Sequence, residues 1–197
     1  MHRFRRPFAM LLLVGLCAME CAARRKALPA PPDPRFLAIQ NVSVLPIVDA
    51  RAGDKASINL GKLQTNVVSI LLKRKHYPAS AAGASGMTGE IAPEDVEGAN
   101  PAYIQKLGAA GDRWVLVVFL NDVTSKITFG STGNAEVSGY LFDKEDGALL
   151  WRGRGVGQAG QGGLMGMTMK GMMKGEALSA ALFNLFASMP NRPKPGR

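Results

Sequence analysis

Three methionines at alternate positions are the residues of this chain whose type and spacing most directly suggest chemistry. Met165, Met167 and Met169 lie in a stretch, residues 155–175, that is rich in glycine and methionine. Thioether sulfur is a soft ligand that suits Cu(I), so these three are candidate metal ligands. Methionine is also adaptable apolar filling, and such a segment can contact a partner or lie on a membrane. We rank packing or partner contact first, membrane contact second and copper third.

Histidine is too scarce to build a familiar nucleophilic site. The chain has two histidines, His2 and His76, and His2 lies in the amino-terminal leader. A nucleophile needs a base beside it, and one histidine next to an apolar helix is more typical of packing or of the surface. No spacing of Asp or Lys indicates another base. The sequence therefore predicts no enzyme, no catalytic residue and no cofactor.

Three other segments suggest a ligand by composition but lack the spacing that chemistry requires. The glycines between 157 and 163 are not followed by the Gly-Lys-Ser/Thr of a phosphate loop, so we predict a flexible or close-packed connection. The acids of segment 79–98 lack the ligand spacing of a calcium loop, which favours a solvated loop with at most one helical turn. The polar stretch 49–54 is most simply an ordinary connection after a strand.

The first 23 residues have the layout of a secretory signal peptide. A basic start is followed by an apolar stretch over Phe8–Met19 and then by small residues. A transmembrane anchor needs about 20 apolar residues, and this stretch is shorter and ends at Glu20. We therefore predict an exported protein of the periplasm, attached to the outer membrane if it is a lipoprotein.

Cys17 and Cys21 are the candidates for lipidation, because both lie at the end of the apolar stretch. A lipoprotein signal places a small residue just before the modified cysteine. Leu16 and Glu20 stand there instead and fit poorly, so cleavage after Ala23 is the alternative. The chain has two cysteines, so the remainder of it offers no disulfide, thiolate nucleophile or cysteine metal site.

The formal net charge of the chain is +9. In a cytosolic protein this balance would suggest nucleic acid, which is held largely through its phosphates. The basic residues are scattered instead, with clusters at 24–26, 73–75 and 192–197 and no aromatic platform among them. For an exported protein we prefer anionic lipid or lipopolysaccharide surfaces to nucleic acid, and solvated charge is the plainest interpretation.

A β-meander is the centre of the predicted fold. Trp114–Leu120 is a short, unbroken apolar run, which indicates a strand covered on both faces. Ala135–Asp143 and Ala148–Val156 follow, joined by a turn that ends at Gly147. Apolar side chains at alternate positions should line one buried face, namely those of Val137, Leu141, Leu149 and Trp151.

Strands and helices alternate before the meander. The pattern predicts a strand over Leu37–Val48, a helix over Asn59–Lys75, a short extended segment after Pro78 and a second helix that starts at Asn100. Strands in this order should be parallel, with right-handed crossovers.

The last helix, predicted over Glu176–Met189, has an apolar stripe that needs a partner. The meander is the largest apolar surface near it in sequence, so Leu182 and Phe186 should pack across the sheet that contains Trp114 and Trp151.

The predicted fold class is α/β: one mixed β-sheet, whose parallel βαβαβ part is followed by an antiparallel meander, with flanking helices and a C-terminal helix. The predicted organisation is a signal peptide (1–23), a proline-rich linker (24–34), a single α/β domain (35–190) and a basic tail (191–197).

Several local patterns together resemble a poorly characterised family of bacterial envelope lipoproteins. They are the leader, Leu45-Pro46 with Asp49-Ala50-Arg51, the Asp143–Gly147 turn with Leu150-Trp151, the glycine-rich connection, and Ser188-Met189-Pro190. This family is related in fold to the amino-terminal domain of TolB and to the periplasmic domain of the curli secretion lipoprotein CsgG. The resemblance spans 35–190 and implies a mixed α/β sheet, a non-enzymatic role in envelope assembly or transport, and frequent oligomerisation.

The sequence thus predicts a non-enzymatic exported envelope protein, a binding, assembly or transport-accessory module. Its expected partners are envelope proteins and further copies of itself, with membrane association through a lipid anchor or the Gly/Met-rich segment and without nucleic acid. One alternative is a copper-binding protein that uses Met165, Met167 and Met169. The other is an envelope hydrolase whose acid and base the sequence does not reveal.

Overall fold

A computed structural model describes residues 33–52, 58–83, 91, 93–128, 130–162 and 170–193. The predicted leader with Cys17 and Cys21, and the residues Met165, Met167 and Met169, lie outside these ranges. The elements, in chain order, are α1 (Arg35–Ala38), β1 (Val42–Val44), β2 (Val48–Asp49), α2 (Leu60–Ile70), β3 (Ala79–Ala81), α3 (Pro93–Glu97), α4 (Pro101–Ile104), β4 (Trp114–Thr128), β5 (Gly130–Asp143), β6 (Ala148–Gly162) and α5 (Lys170–Leu185). Among the helices described, none is long and apolar enough to cross a membrane.

One mixed sheet organises the chain, with the strand order β3-β1-β4-β5-β6 and with β2 beside β4. The pairs β1–β3, β1–β4 and β2–β4 are parallel, whereas β4–β5 and β5–β6 are antiparallel. The predicted fold class is confirmed: a parallel part, an antiparallel meander, flanking helices and a C-terminal helix.

The first predicted strand, Leu37–Val48, is wrong in its extent. Its beginning is the short helix α1, which buries Phe36, and its remainder is two short strands around Pro46. Val44 pairs with Leu116 and Val48 pairs with Phe119, so the β1–β2 segment has one residue more than the β4 segment beside it. Proline cannot donate to the ladder, and the extra residue takes it out of register.

The first half of β4 is covered on both faces, as its unbroken apolar run predicts. Val115, Val117 and Phe119 belong to the core beneath α3 and α4. Leu116, Val118 and Leu120 belong to the core beneath α2 and α5. Because side chains of a strand alternate between faces, this single strand connects the two hydrophobic cores.

Helix α5 lies directly on the backbone of β6. The alternate positions Gly153, Gly155 and Gly157 face it, and a Cβ at Gly155 would collide with the Ala181 carbonyl oxygen. A Cβ at Gly157 would likewise collide with the carbonyl oxygen of Ala177. Within the predicted glycine-rich connection, the residues up to Gly162 are strand, and the close-packed alternative is correct for Gly157.

The predicted core contact of the last helix is confirmed. Trp151 and Phe186 stack with ring centroids 5.5 Å apart and an interplanar angle of 12°. Trp114 and Leu182 are buried in the same core. The helix begins earlier than predicted, at Lys170, and a 3₁₀ turn over Phe186–Ser188 ends it.

A β-bulge corrects the predicted alternation in the meander. Leu141 pairs with Trp151 but Phe142 pairs with Leu149, so the register shifts by one residue between them. Leu149 consequently packs in the α3–α4 core instead of sharing a face with Trp151. The turn before it is as expected, and Gly147 adopts a φ of 74° there.

Truncation of the last helix tests this packing. We expect Leu182→Ala to lower the free energy of unfolding by about 2–5 kcal/mol, the usual cost for a buried leucine. Lys174→Ala, on the same helix, should change it by no more than about 0.5 kcal/mol. Urea denaturation of both variants measures the difference. Equal effects would contradict the assignment of Leu182 to the core.

The glycine contact gives a sharper comparison within one strand. Gly157→Ala places a methyl group where the α5 backbone lies, so we expect a loss of about 1–3 kcal/mol or more. Gly160→Ala is the matched control, because its nearest atom would be Thr132 Cγ2 at an ordinary 3.5 Å. It should change stability by about 0.5 kcal/mol at most. Thermal or urea unfolding that finds the two variants equally stable would contradict direct helix-on-strand packing.

Candidate functional site

A groove lies between α2 and α5, among the described residues. Its cavity volume is about 780 Å³. We call it the helix groove. It is lined by Ile58, Asn59, Lys62, Leu63 and Asn66 from the α2 side and by Gly171, Met172, Lys174, Gly175, Glu176, Leu178, Ser179 and Leu182 from α5.

The two walls of the helix groove have clear local causes. Asn59 caps α2, because its side-chain oxygen accepts a hydrogen bond of 2.9 Å from the backbone N–H of Lys62. Gln64 then ties α2 to the sheet, where its side chain donates to the carbonyl oxygens of Val44 and Ala82 at 2.8 and 3.0 Å. On α5, Gly171 and Gly175 leave open space where side chains would otherwise stand.

The groove has an apolar floor and a cationic rim. Leu63 and Leu182 are buried at its base. Met172 is 54% exposed at the edge, and the lysines Lys62 and Lys174 stand on opposite walls. Such a surface suits a ligand or partner that is apolar and acidic.

The carboxyl ends of α2 and α5 are held together beyond the groove. The Arg74 guanidinium lies 4.3 Å from the centre of the Phe183 ring. Lys75 Nζ donates to the Met189 carbonyl oxygen at 2.6 Å, and the Tyr77 hydroxyl donates to that of Pro190 at 3.1 Å. Two side chains of the basic cluster 73–75 therefore contact the last helix and the residues that follow it.

His76, the histidine of the predicted domain, ends the π-helical turn that follows α2. Its backbone is left-handed, with φ 62°, which terminates the helix. Among the described residues no group of three or more His, Cys, Asp or Glu could hold a metal ion. The methionine and cysteine candidates lie outside the described residues, so their roles stay predictions.

A second, polar depression lies on the other face of the sheet, with a volume of about 460 Å³. There the Tyr140 hydroxyl donates to Glu97 at 3.2 Å, and Arg154 pairs with Glu136 at 2.8 Å. The hydrogen bond from Arg154 lowers the pKa of Glu136, whereas burial, followed by the charge of Glu97, raises the pKa of Tyr140. Neither shift makes its group a good proton donor near neutral pH.

The polar stretch after β2 contains an ion pair that sequence reasoning missed. Arg51 donates through Nε and Nη2 to the two carboxylate oxygens of Asp49, at 2.8 and 2.7 Å, and both side chains are nearly inaccessible. A bidentate pair of this kind orders the chain where it leaves the sheet. The Asp-x-Arg spacing was visible in the sequence, but its burial was not.

No protein-family model and no curated protein matches this chain. Among solved structures it is similar to PelC from Paraburkholderia phytofirmans, described as a dodecamer, with 13% identity, a TM-score of 0.50, and coverage of 83% of this chain and 96% of that one. A lipoprotein from Neisseria meningitidis, GNA1162, is similar over 66% of this chain and 90% of its own, with 18% identity and a TM-score of 0.45. At these identities the likeness concerns the fold. The predicted relation to TolB and CsgG stays a prediction.

Tyr77, whose hydroxyl donates to the Pro190 carbonyl oxygen, predicts that the protein loses stability at alkaline pH. Burial raises the pKa of Tyr77 to about 12 in the folded protein, above its ordinary value of 10.0. The folded state therefore holds this proton more tightly, so the stabilisation is complete below about pH 10 and is lost as the pH rises towards 12.

Tyr77→Phe tests this. At about pH 8 it should cost about 0.5–1.5 kcal/mol through the lost hydrogen bond. As the pH rises through 10, the wild type should lose stability relative to the variant. Urea denaturation across this range measures the difference, and a constant gap between the two proteins would contradict the buried phenol.

Proposed function

We propose that this chain is a non-enzymatic exported envelope protein, a lipoprotein that acts as a binding, assembly or transport-accessory module in the periplasm or at the outer membrane. The observation that carries the proposal is the helix groove, which has an apolar floor and a rim of lysines. A concave surface that is largely apolar and carries a few charged groups is the usual form of a binding site.

Two further observations support the proposal. The leader predicted over residues 1–23 favours export to the envelope. The solved structure of similar fold, PelC, is described as a dodecamer, which favours self-association as part of the role. A rigid sheet with helices on it supplies a subunit whose surfaces can be presented repeatedly in such an assembly.

The polar depression is one place in the described part of the chain where the hydrolase alternative would place its acid and base. Its carboxylate at Glu136 is held ionised by Arg154, so this group would serve as a base or a charge stabiliser. A hydrolase also needs a proton donor, and the raised pKa of Tyr140 disfavours that hydroxyl for the role. At this depression, the environments of Glu136 and Tyr140 favour binding over hydrolysis.

Fractionation of cells that express the full chain tests the proposal. We expect the protein in the envelope fraction, labelled by radioactive palmitate. One of the two variants, Cys17→Ser or Cys21→Ser, should lose the label and the other should keep it. The variant that loses it identifies the anchored cysteine. Mass spectrometry of the mature amino terminus is the independent readout.

Full-length protein in the cytosol would contradict the proposed function as a whole. Absence of label with Arg24 at the mature amino terminus would contradict only the lipid anchor and would leave a freely periplasmic protein. Sedimentation of the same exported protein tests self-association, for which we expect species larger than the monomer.

A further inference from the structure

Positive charge is concentrated on the layer formed by α2 and α5. The segments 60–75 and 170–192 contain seven basic residues and one acidic residue, Glu176. The basic residues are Lys62, Lys73, Arg74, Lys75, Lys170, Lys174 and Arg192. We call the outward side of this layer the helix face. Charge of one sign on one face gives the molecule a preferred orientation towards an oppositely charged surface.

Six of these cations have described side chains, and none of the six forms an ion pair with an acid among the described residues. The ion pairs found there join other arginines to carboxylates, at Arg35, Arg51, Arg113 and Arg154. Lys62 and Lys73 are exposed and Lys174 is half-buried, and none of the three makes an ion pair. Their charge is thus available to a ligand.

Exposed apolar side chains lie among the cations. Met172 is 54% exposed, Phe183 48% and Leu72 46%. Between the helices the helix groove leads down to Leu63 and Leu182. The boundary between acyl chains and anionic headgroups requires a surface of this kind. Apolar side chains and a groove suit the acyl chains, and lysines can lay their aliphatic stems along the apolar surface.

The opposite side of the sheet has a different charge. Within residues 93–112, which include α3 and α4, four acids accompany one lysine: Glu94, Asp95, Glu97, Asp112 and Lys106. The exposed strands there pair Arg154 with Glu136. An anionic surface would therefore attract the helix face and not the α3–α4 side.

We propose that the helix face docks on an anionic membrane leaflet. Met172 and Phe183 enter the headgroup boundary, the helix groove accommodates part of an acyl chain, and Lys62 and Lys174 contact the lipid phosphates. The inference deepens the proposed function and rests on it, because export brings the protein to the membranes of the envelope. It commits to a lipid surface over an acidic protein, since a groove with an apolar floor and lysines on both walls selects for an amphiphile more than for a defined side-chain pattern.

Vesicle co-sedimentation with the exported protein tests the docking. Vesicles of phosphatidylglycerol and phosphatidylcholine are compared with vesicles of phosphatidylcholine alone. A lipid anchor would add affinity to both, so the ratio of the two affinities isolates the helix face. We expect a preference for the anionic vesicles that weakens as salt is raised from about 0.1 to about 1 M, because screening shortens the reach of surface charge.

Two double variants with the same change in net charge are compared. Lys62→Gln with Lys174→Gln should lower the preference about 30-fold, because one basic residue near an anionic leaflet contributes about fivefold. Lys106→Gln with Arg152→Gln lies outside the helix face and should lower it less than about twofold. Met172→Ser with Phe183→Ser should reduce binding without removing the salt dependence. Circular dichroism confirms that each variant is folded.

An equal loss from the two charge pairs would overturn the proposal, because it would indicate attraction by net charge alone. Absence of a preference for anionic vesicles would overturn it as well and would favour an acidic protein as the occupant. Either result leaves the fractionation experiment unaffected. Conversely, a cytosolic protein that still prefers anionic vesicles through Lys62 and Lys174 would contradict the proposed export and not the docking face.

Discussion

The rest of the structure depends on the direct contact between α5 and the glycines of β6. Gly153, Gly155 and Gly157 have no side chains, so the backbone of α5 occupies the space that their Cβ atoms would take. Ala177 and Ala181 supply the matching small surface on the helix. Close approach over these turns brings Phe186 onto Trp151 and aligns α5 beside α2. A larger residue at any of the three positions would push the helix outward and open this core.

The helix groove is a consequence of that contact. With α5 held low on the sheet, α2 is its neighbour, and the two are fastened at their carboxyl ends by Arg74, Lys75 and Tyr77. At their amino ends Gly171 and Gly175 provide no side chains to fill the space between the helices. The groove that remains has an apolar floor and a cationic rim. The packing of the domain thus creates the surface for which a binding role is proposed.

The two sides of the sheet at strand β4 form two faces of the molecule with different chemistry. The first half of β4 carries one core on each side, and after Leu120 a bulge interrupts its pairing with β5. Beyond that point the face opposite α5 becomes polar, with Asn121, Glu136 and Ser138 in hydrogen-bonded contact. The face with α2 and α5 is the one that collects positive charge, so the two sides of one sheet present different chemistry to the surroundings.

Much of the fold follows from the sequence alone because local patterns carry it. The apolar run at Trp114–Leu120, the period of α2, the caps at Asn59 and Asn100 and the turn at Gly147 each depend on neighbouring residues, and each is present. The structure of the glycine-rich stretch is harder to predict from the sequence. Glycine's conformational propensity does not distinguish a connection from a strand that packs beneath a helix. The bulge that moves Leu149 to the other face of the sheet is also not predictable from the sequence, since the register of a strand depends on its partner strand.

The candidate site belongs almost wholly to the tertiary structure. Lys62 and Lys174 are 112 positions apart in the chain and line one groove only because α5 rests on the glycines of β6 beside α2. The same holds for the contact of Arg74 with Phe183. Asp49 and Arg51 are neighbours in sequence, and the tertiary structure decides only the burial of their ion pair. The sequence by itself determined the fold class, the main elements and the scarcity of catalytic side chains. Which distant residues share a surface was decided by packing, because burial and proximity are properties of the assembled core and not of any local segment.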